Sequence, residues 1–273
     1  MANNKSSGKA DINGAQLYYE VKGTGQPLLL VHAGVADSRM WEAQFEAFSE
    51  AYQAIRFDLR GFGRSNMPSG SFSNHKDVRA LLDFLGIEKA FLLGISFGGL
   101  IALDFTLAYP DYVQALILGA PSVSGTSPSE RIRQFWEAED AALERGDLEG
   151  ATELNLKLWV DGPHRNPNQV SPEVRELVRE MQLNIFRKEI PDNVEEIDLD
   201  PPAIERLGEL GIPVQVLVGE LDLEEKLELA DRLVRELPDC RKVVIPGVAH
   251  MLSMEKPEEF NRIVFDFLSN ISP

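Results

Sequence analysis

The chain carries a single cysteine, Cys240. One thiol cannot close an intrachain disulfide or build a cysteine-based metal site. It lies in PDCRK, a turn-like stretch, and reads as a bystander. Basic residues are also short. Against 44 Asp and Glu stand 27 Lys and Arg, a formal net charge of −17, and no Lys/Arg run offsets the imbalance. Such a surface repels phosphate backbones and anionic lipid headgroups, so neither nucleic acid nor membrane is an expected partner. No stretch approaches the roughly 20 apolar residues of a membrane span. The N-terminal MANNKSSGKADING is polar and lacks the apolar core of a secretory signal, so a cytoplasmic location is expected. Histidines number only four, which leaves few candidates for proton transfer near neutral pH. No metal and no cofactor is expected.

What the chain does have is 273 residues, 44% of them hydrophobic, enough to bury a full core without staples. PLLLVHAG, YQAIRFDL, AFLLGIS, VQALILGAP, IPVQVLVGELD and RKVVIPGVAH are short apolar runs ending in small or turn residues, and QLYYEVKG alternates before GTGQP. Runs of the first kind suit strands buried on both faces. Between them lie helical patterns such as DVRALLDFLGI, FGGLIALDFTLAYP and LEEKLELADRLVREL, with PEEFNRIVFDFLSNI at the end. Strands alternating with helices predict an α/β fold with a mostly parallel central sheet flanked by helices. The middle differs. Residues 122–211 show helical patterns, Pro- and Gly-rich joints and no convincing buried strand. The expectation is an α/β core made of residues 1–121 and 212–273, with a helical cap inserted at 122–211.

The segment FLLGISFGG poses the functional question. Gly94-Ile95-Ser96-Phe97-Gly98 fits G-x-S-x-G, between a predicted strand and a predicted helix. A tight strand-to-helix turn would push the Ser96 hydroxyl clear of the sheet, with flanking glycines admitting the neighbouring backbone. The helix N-terminus beyond it favours developing negative charge. No Lys-Ser/Thr pair follows the glycines, so a phosphate-binding loop fits less well. A serine hydroxyl needs a base, and the base needs an orienting acid. His250, in PGVAHMLSMEKPEEF just past the last strand, is placed where sites on parallel sheets lie. His75 sits in a polar loop and His164 in the Pro-rich cap segment. His32 ends a buried strand and reads as a structural donor holding adjacent loops. Asp222 follows a buried strand by a short turn and can reach across to the next loop, while Glu220, Glu224 and Glu225 are its rivals.

With these residues placed, the chain resembles the α/β-hydrolase superfamily over nearly its whole length. The carrying segments are His32-Ala33-Gly34, FDLRGFGRS at 57–65, the elbow at 94–98, GELD at 219–222 and GVAH at 247–250, with the order Ser96, Asp222, His250 matching the family's nucleophile, acid and histidine. The resemblance implies an oxyanion hole made by the backbone N–H groups of Gly34 and Phe97. Ala33 replaces the usual glycine there, which makes Val35 the alternative donor. Asp58 and Arg60 read as loop braces. A serine nucleophile, where dehalogenating and epoxide-opening members carry aspartate, implies acyl transfer. The expected activity is that of a carboxylesterase acting on small, mostly neutral esters, since the global negative charge disfavours anionic ones. Lactone hydrolysis, carbon–carbon bond hydrolysis of ring-cleavage products, perhydrolysis and non-catalytic ligand reception are the alternatives. Phe135, Trp136, Trp159, Met181 and Phe186 of the cap are either its own small core or an apolar wall facing Ser96. Arg131, Arg133, Lys157, Arg165 and Arg187 are the cap cations that could change the sign of the entrance.

Overall fold

The computed structural model describes residues 5–271. Residues 1–4 of the polar N-terminal stretch lie outside them. The strands are β1 (Lys5–Ile12), β2 (Ala15–Lys22), β3 (Pro27–Val31), β4 (Gln53–Phe57), β5 (Gly70–Phe72), β6 (Ala90–Ile95), β7 (Val113–Gly119), β8 (Val194–Glu196), β9 (Val214–Gly219) and β10 (Cys240–Ile245). Eight of them form one sheet in the order β1-β2-β4-β3-β6-β7-β9-β10. The first two pairings, β1 with β2 and β2 with β4, are antiparallel, and the rest of the sheet is parallel. A mostly parallel sheet flanked by helices is thus the fold, as expected. Every residue of β6 and of β9 is buried, which is why β6 reads as an unbroken apolar run and β9 as one interrupted only by Gln215.

Side chains alternate between the two faces of each strand. Leu29 and Val31 of β3 join a core with α2 (Asn74–Phe84), α3 (Phe97–Ala108) and α7 (Glu224–Glu236), whereas Leu28 and Leu30 join one with α1 (Glu42–Phe48), the short α8 (Leu252–Glu255) and α9 (Pro257–Leu268). Each of these helices covers one face of the sheet.

Between β7 and β9 the chain adds α4 (Glu130–Glu144), α5 (Leu148–Asn155), a π-helical turn at Leu156–Asp161, and α6 (Pro172–Phe186). It also adds β8, which pairs in parallel with β5 in a separate two-stranded ribbon. That strand departs from the all-helical expectation. It is three residues long and mostly exposed, too short and too wet to leave an apolar pattern. β1 was also unforeseen: KSSGKADI pairs along its whole length with β2 at the sheet edge, burying Ala10 and Ile12. Among the described residues no helix is long and apolar enough to cross a membrane.

Candidate active site

Ser96 occupies the junction of β6 and α3 with φ +56° and ψ −115°, a left-handed region that a non-glycine residue enters at a cost. The surroundings hold it there. Its N–H donates to Gly119 O at 2.8 Å, and its carbonyl accepts from the N–H groups of Leu100 and Ser122, both at 3.1 Å. The turn is tight enough that only glycine fits beside it. A Cβ at Gly94 would stand 2.1 Å from Gly98 O, and one at Gly98 would stand 2.2 Å from Val31 O. Both obstacles are backbone and cannot swing away.

The next close approach is at the end of β9. A Cβ at Gly219 would lie 2.2 Å from Ala249 O, so the missing side chain lets the end of β9 meet the loop after β10. Asp222 closes the turn after β9, with its N–H donating to Gly219 O at 3.2 Å. Its carboxylate is buried. Oδ1 accepts from Leu223 N at 2.8 Å, and Oδ2 lies 2.9 Å from His250 Nδ1. A carboxylate can only accept, so Nδ1 carries the proton and Nε2 presents its lone pair. His250 Nε2 is buried and has no hydrogen-bond partner among the described residues. The Trp159 ring packs against the imidazole with centroids 4.6 Å apart.

Ser96, His250, Gly34 and Phe97 border one cavity of about 1270 Å³, and Asp222 stands behind His250, outside the lining. The N–H groups of Gly34, Val35 and Phe97 donate no hydrogen bond among the described residues, and all three residues line the same cavity. Phe135, Trp136, Trp159 and Phe186 line it too. Met181 does not. It is fully buried in the core on the α1 and α9 side, where its sulfur accepts from Asp37 N at 3.4 Å. None of the cap cations Arg131, Arg133, Lys157, Arg165 and Arg187 borders the cavity. The basic side chains that do, Lys226, Arg232 and Arg235, all come from α7.

The rival candidates have other duties. Glu220 is exposed, and its Oε2 accepts from Gly247 N at 2.8 Å. Glu224 is exposed on α7, and Glu225 accepts from the Ser129 hydroxyl at 2.8 Å. Both ring nitrogens of His32 are engaged, with Ala33 O at 2.8 Å and Leu59 N at 3.0 Å, and burial pushes its pKa down. His75 is not in a polar loop but buried in the first turn of α2 against Tyr109. His164 is exposed. Asp58 accepts from Ser38 N and Arg64 N, and Arg60 pairs with the equally buried Asp77 at 2.9 Å, both braces as read from sequence.

Two features escaped sequence reasoning. Glu255 accepts from Ala249 N at 3.1 Å and pairs with Arg165, which also donates to the carbonyls of Val160 and Asp161. This buried pair ties the π-helical turn to the loop that carries His250. The second is Lys226, whose ammonium is buried at the cavity wall, where desolvation lowers its pKa. Nothing in the solvated-looking LEEKLELADRL pattern marks Lys226.

The model of the alpha/beta hydrolase fold family matches residues 26–257, and the chain belongs to that family. It is 30% identical to the 2-hydroxy-6-oxononadienedioate/2-hydroxy-6-oxononatrienedioate hydrolase of Paraburkholderia phymatum, over 93% of this chain and 91% of that protein. Among solved structures, a thermophilic esterase from Thermogutta terrifontis superposes with a TM-score of 0.79 at 27% identity, covering 98% of this chain and 100% of that one. The enol-lactonase of Burkholderia xenovorans matches with a TM-score of 0.79 at 21% identity, covering 96% and 100%, a likeness of fold. The chain is therefore a hydrolase of this family, and the bond it cleaves is a matter for the site.

Proposed function

We propose that the protein is a serine carboxylesterase that works through an acyl-enzyme, with Ser96 as nucleophile, His250 as base and Asp222 as orienting acid. The observation that carries this reading is the arrangement at the cavity: a buried Asp222 carboxylate fixes His250 Nδ1–H and leaves Nε2 without a partner among the described residues, in the cavity that the strained Ser96 also borders. Ser96 Oγ attacks the ester carbonyl while Nε2 takes its proton. The Asp222 charge stabilises the resulting imidazolium, and the N–H groups of Gly34 and Phe97 hold the oxyanion. The tetrahedral species collapses as His250 protonates the departing alkoxide. Water, deprotonated by the same nitrogen, then frees the acid. Residues 122–211 act as the cap that walls the site with Phe135, Trp159 and Phe186.

A second reading, carbon–carbon bond hydrolysis, is favoured by the relative from Paraburkholderia phymatum named above. The test is twofold. A fluorophosphonate probe is expected to label Ser96 alone, and Ser96→Ala is expected to abolish turnover of 4-nitrophenyl esters. Labelling of another serine, or retained turnover, overturns the mechanism. Turnover of a dienoate ring-cleavage product at a kcat/KM well above that of any ester selects the second reading.

A further inference from the structure

Five Lys and Arg side chains of the described structure are buried: Lys22, Arg56, Arg60, Arg165 and Lys226. Four have carboxylate partners, Lys22 with Glu46, Arg56 with Glu20 and Glu42, Arg60 with Asp77 and Arg165 with Glu255. Lys226 has none among the described residues. It is 8% exposed. Its Nζ donates to Pro121 O at 3.2 Å and to Ser122 Oγ at 3.0 Å, and lies 5.9 Å from the centre of the Trp159 ring. An ammonium has three donors, so one remains without an acceptor among the described residues. Glu139, Asp198, Asp200, Glu225 and Glu228 border the same cavity, with Glu225 held by Ser129 and Glu139 by Asn155; the Asp222 and Glu225 charges act on Lys226, but no carboxylate lies within ion-pair distance of it among the described residues. A buried cation is normally paired, because leaving it alone in a low-dielectric wall is costly.

The placement explains what that cost could serve. Ser122, which accepts one Lys226 proton, donates its own N–H to Ser96 O. The unpaired charge therefore stands one residue's contacts away from the nucleophile, in the wall of the cavity that Ser96 opens into. We propose that Lys226 is a specificity-determining residue that binds a free carboxylate on a short acyl chain, so that the preferred substrates are monoesters of dicarboxylic acids. This rests on the hydrolytic reading of the site and reverses the preference for neutral esters that the net charge of −17 implies. The global field acts on approach and is screened by salt, whereas a buried ammonium acts at contact distance, where screening is weak. Arg232 and Arg235 of the same helix line the cavity too, but Arg232 pairs with Glu236 and Asp198, Asp200 and Glu228 share the lining, which leaves Lys226 as the cation at the nucleophile's end.

The experiment compares kcat/KM for mono-4-nitrophenyl succinate, glutarate and adipate with the neutral butanoate, pentanoate and hexanoate, after subtracting uncatalysed hydrolysis. For at least one chain length the carboxylate ester is expected to be preferred by the native enzyme. Lys226→Met is expected to lower that carboxylate-to-neutral ratio at least tenfold, mainly through KM, and Lys226→Arg to restore most of it. Lys226→Gln, which keeps a donor for Pro121 O and Ser122, carries the same expectation should the methionine variant fail to fold. Glutarate binding to Ser96→Ala, followed by calorimetry, reads the site without turnover and is expected to weaken at least tenfold when Lys226→Gln is added. A ratio that stays constant while both esters slow together shows that Lys226 only braces the 121–122 loop, and overturns the proposal, as does unchanged glutarate binding. Failure of Ser96 labelling would instead remove the hydrolytic reading, and the glutarate titration would still decide the role of Lys226.

Discussion

Asp222→Asn is the substitution whose effect can be worked most closely from geometry. The native carboxylate accepts two hydrogen bonds, from Leu223 N at 2.8 Å and from His250 Nδ1 at 2.9 Å. An amide offers one acceptor and one donor group. If its oxygen keeps the Leu223 N–H, its NH₂ faces Nδ1, which must then become the acceptor. The ring proton moves to Nε2, and the lone pair that would take the Ser96 proton is gone. If the amide flips, its NH₂ meets the Leu223 N–H in a buried site, and that contact costs a desolvated, unpaired donor. The substitution also removes the negative charge that stabilises the imidazolium. A wrong tautomer in a site of this kind lowers kcat by about 10⁴, which corresponds to roughly 5 kcal/mol of transition-state stabilisation. Glu220→Gln is the matched control. Glu220 is exposed and contacts only Gly247 N, so its loss is expected to cost less than about tenfold. Initial rates on a 4-nitrophenyl ester, with circular dichroism to confirm folding, measure both. A larger loss for Glu220→Gln than for Asp222→Asn would refute the assignment of the acid.

Two further outcomes concern the scaffold. Gly98→Ala places a Cβ 2.2 Å from Val31 O and 2.5 Å from His32 O, both backbone, and is expected to cost about 3 kcal/mol or more in urea unfolding, whereas Gly208→Ala, with nothing within 4 Å, is expected to be near neutral. Equal effects at the two positions would contradict the close packing of the elbow. Burial pushes Asp104 up from 3.8 to about 6, against the opposing hydrogen bond from Ser124. The folded state then holds its proton more tightly than the unfolded one, so stability from this group is present at acid pH and falls as the pH rises through about 6. Asp104→Asn removes the ionisation and is expected to be more stabilising at pH 8 than at pH 4 by an amount approaching about 3 kcal/mol. Parallel stability profiles for the two proteins across that range would rule it out.

The parts of the fold that could be read in the sequence are those where burial writes a pattern. β3, β6, β7 and β9 are covered on both faces and show apolar runs, broken only by Gln114 in β7 and Gln215 in β9. β1 is an edge strand paired on one side only, and KSSGKADI accordingly keeps its polar residues. β8 gains its partner β5 only through tertiary proximity, since the two segments are more than a hundred residues apart. Met181 shows the same limit from the other direction. Helical spacing marks it as apolar and inward, yet α6 has a core side and a cavity side, and only the packing puts Met181 on the first and Phe186 on the second.

The candidate site divides along a related line. Ser96 was legible because its strained turn demands glycines at fixed offsets, and a steric demand of that kind leaves a local trace in the sequence. His250 was legible by elimination among so few histidines. The acid could be named as Asp222 only through the family resemblance, because four carboxylates lie within a short stretch after β9 and their chemistry is alike. What separates them is the turn in which Asp222 N bonds Gly219 O. It turns Asp222 under His250 while Glu220 faces solvent, and the absence of a side chain at Gly219 lets the two loops come close enough for the contact. Lys226 lies further still from any local signal. Its helix has the composition of a solvated one, and its burial comes from the 121–122 loop and Trp159, which reach it from distant parts of the chain. Groups that make the chemistry are constrained by their own backbone, and so they mark the sequence. Groups that choose the substrate are constrained by what surrounds them, and one chain alone does not spell that out.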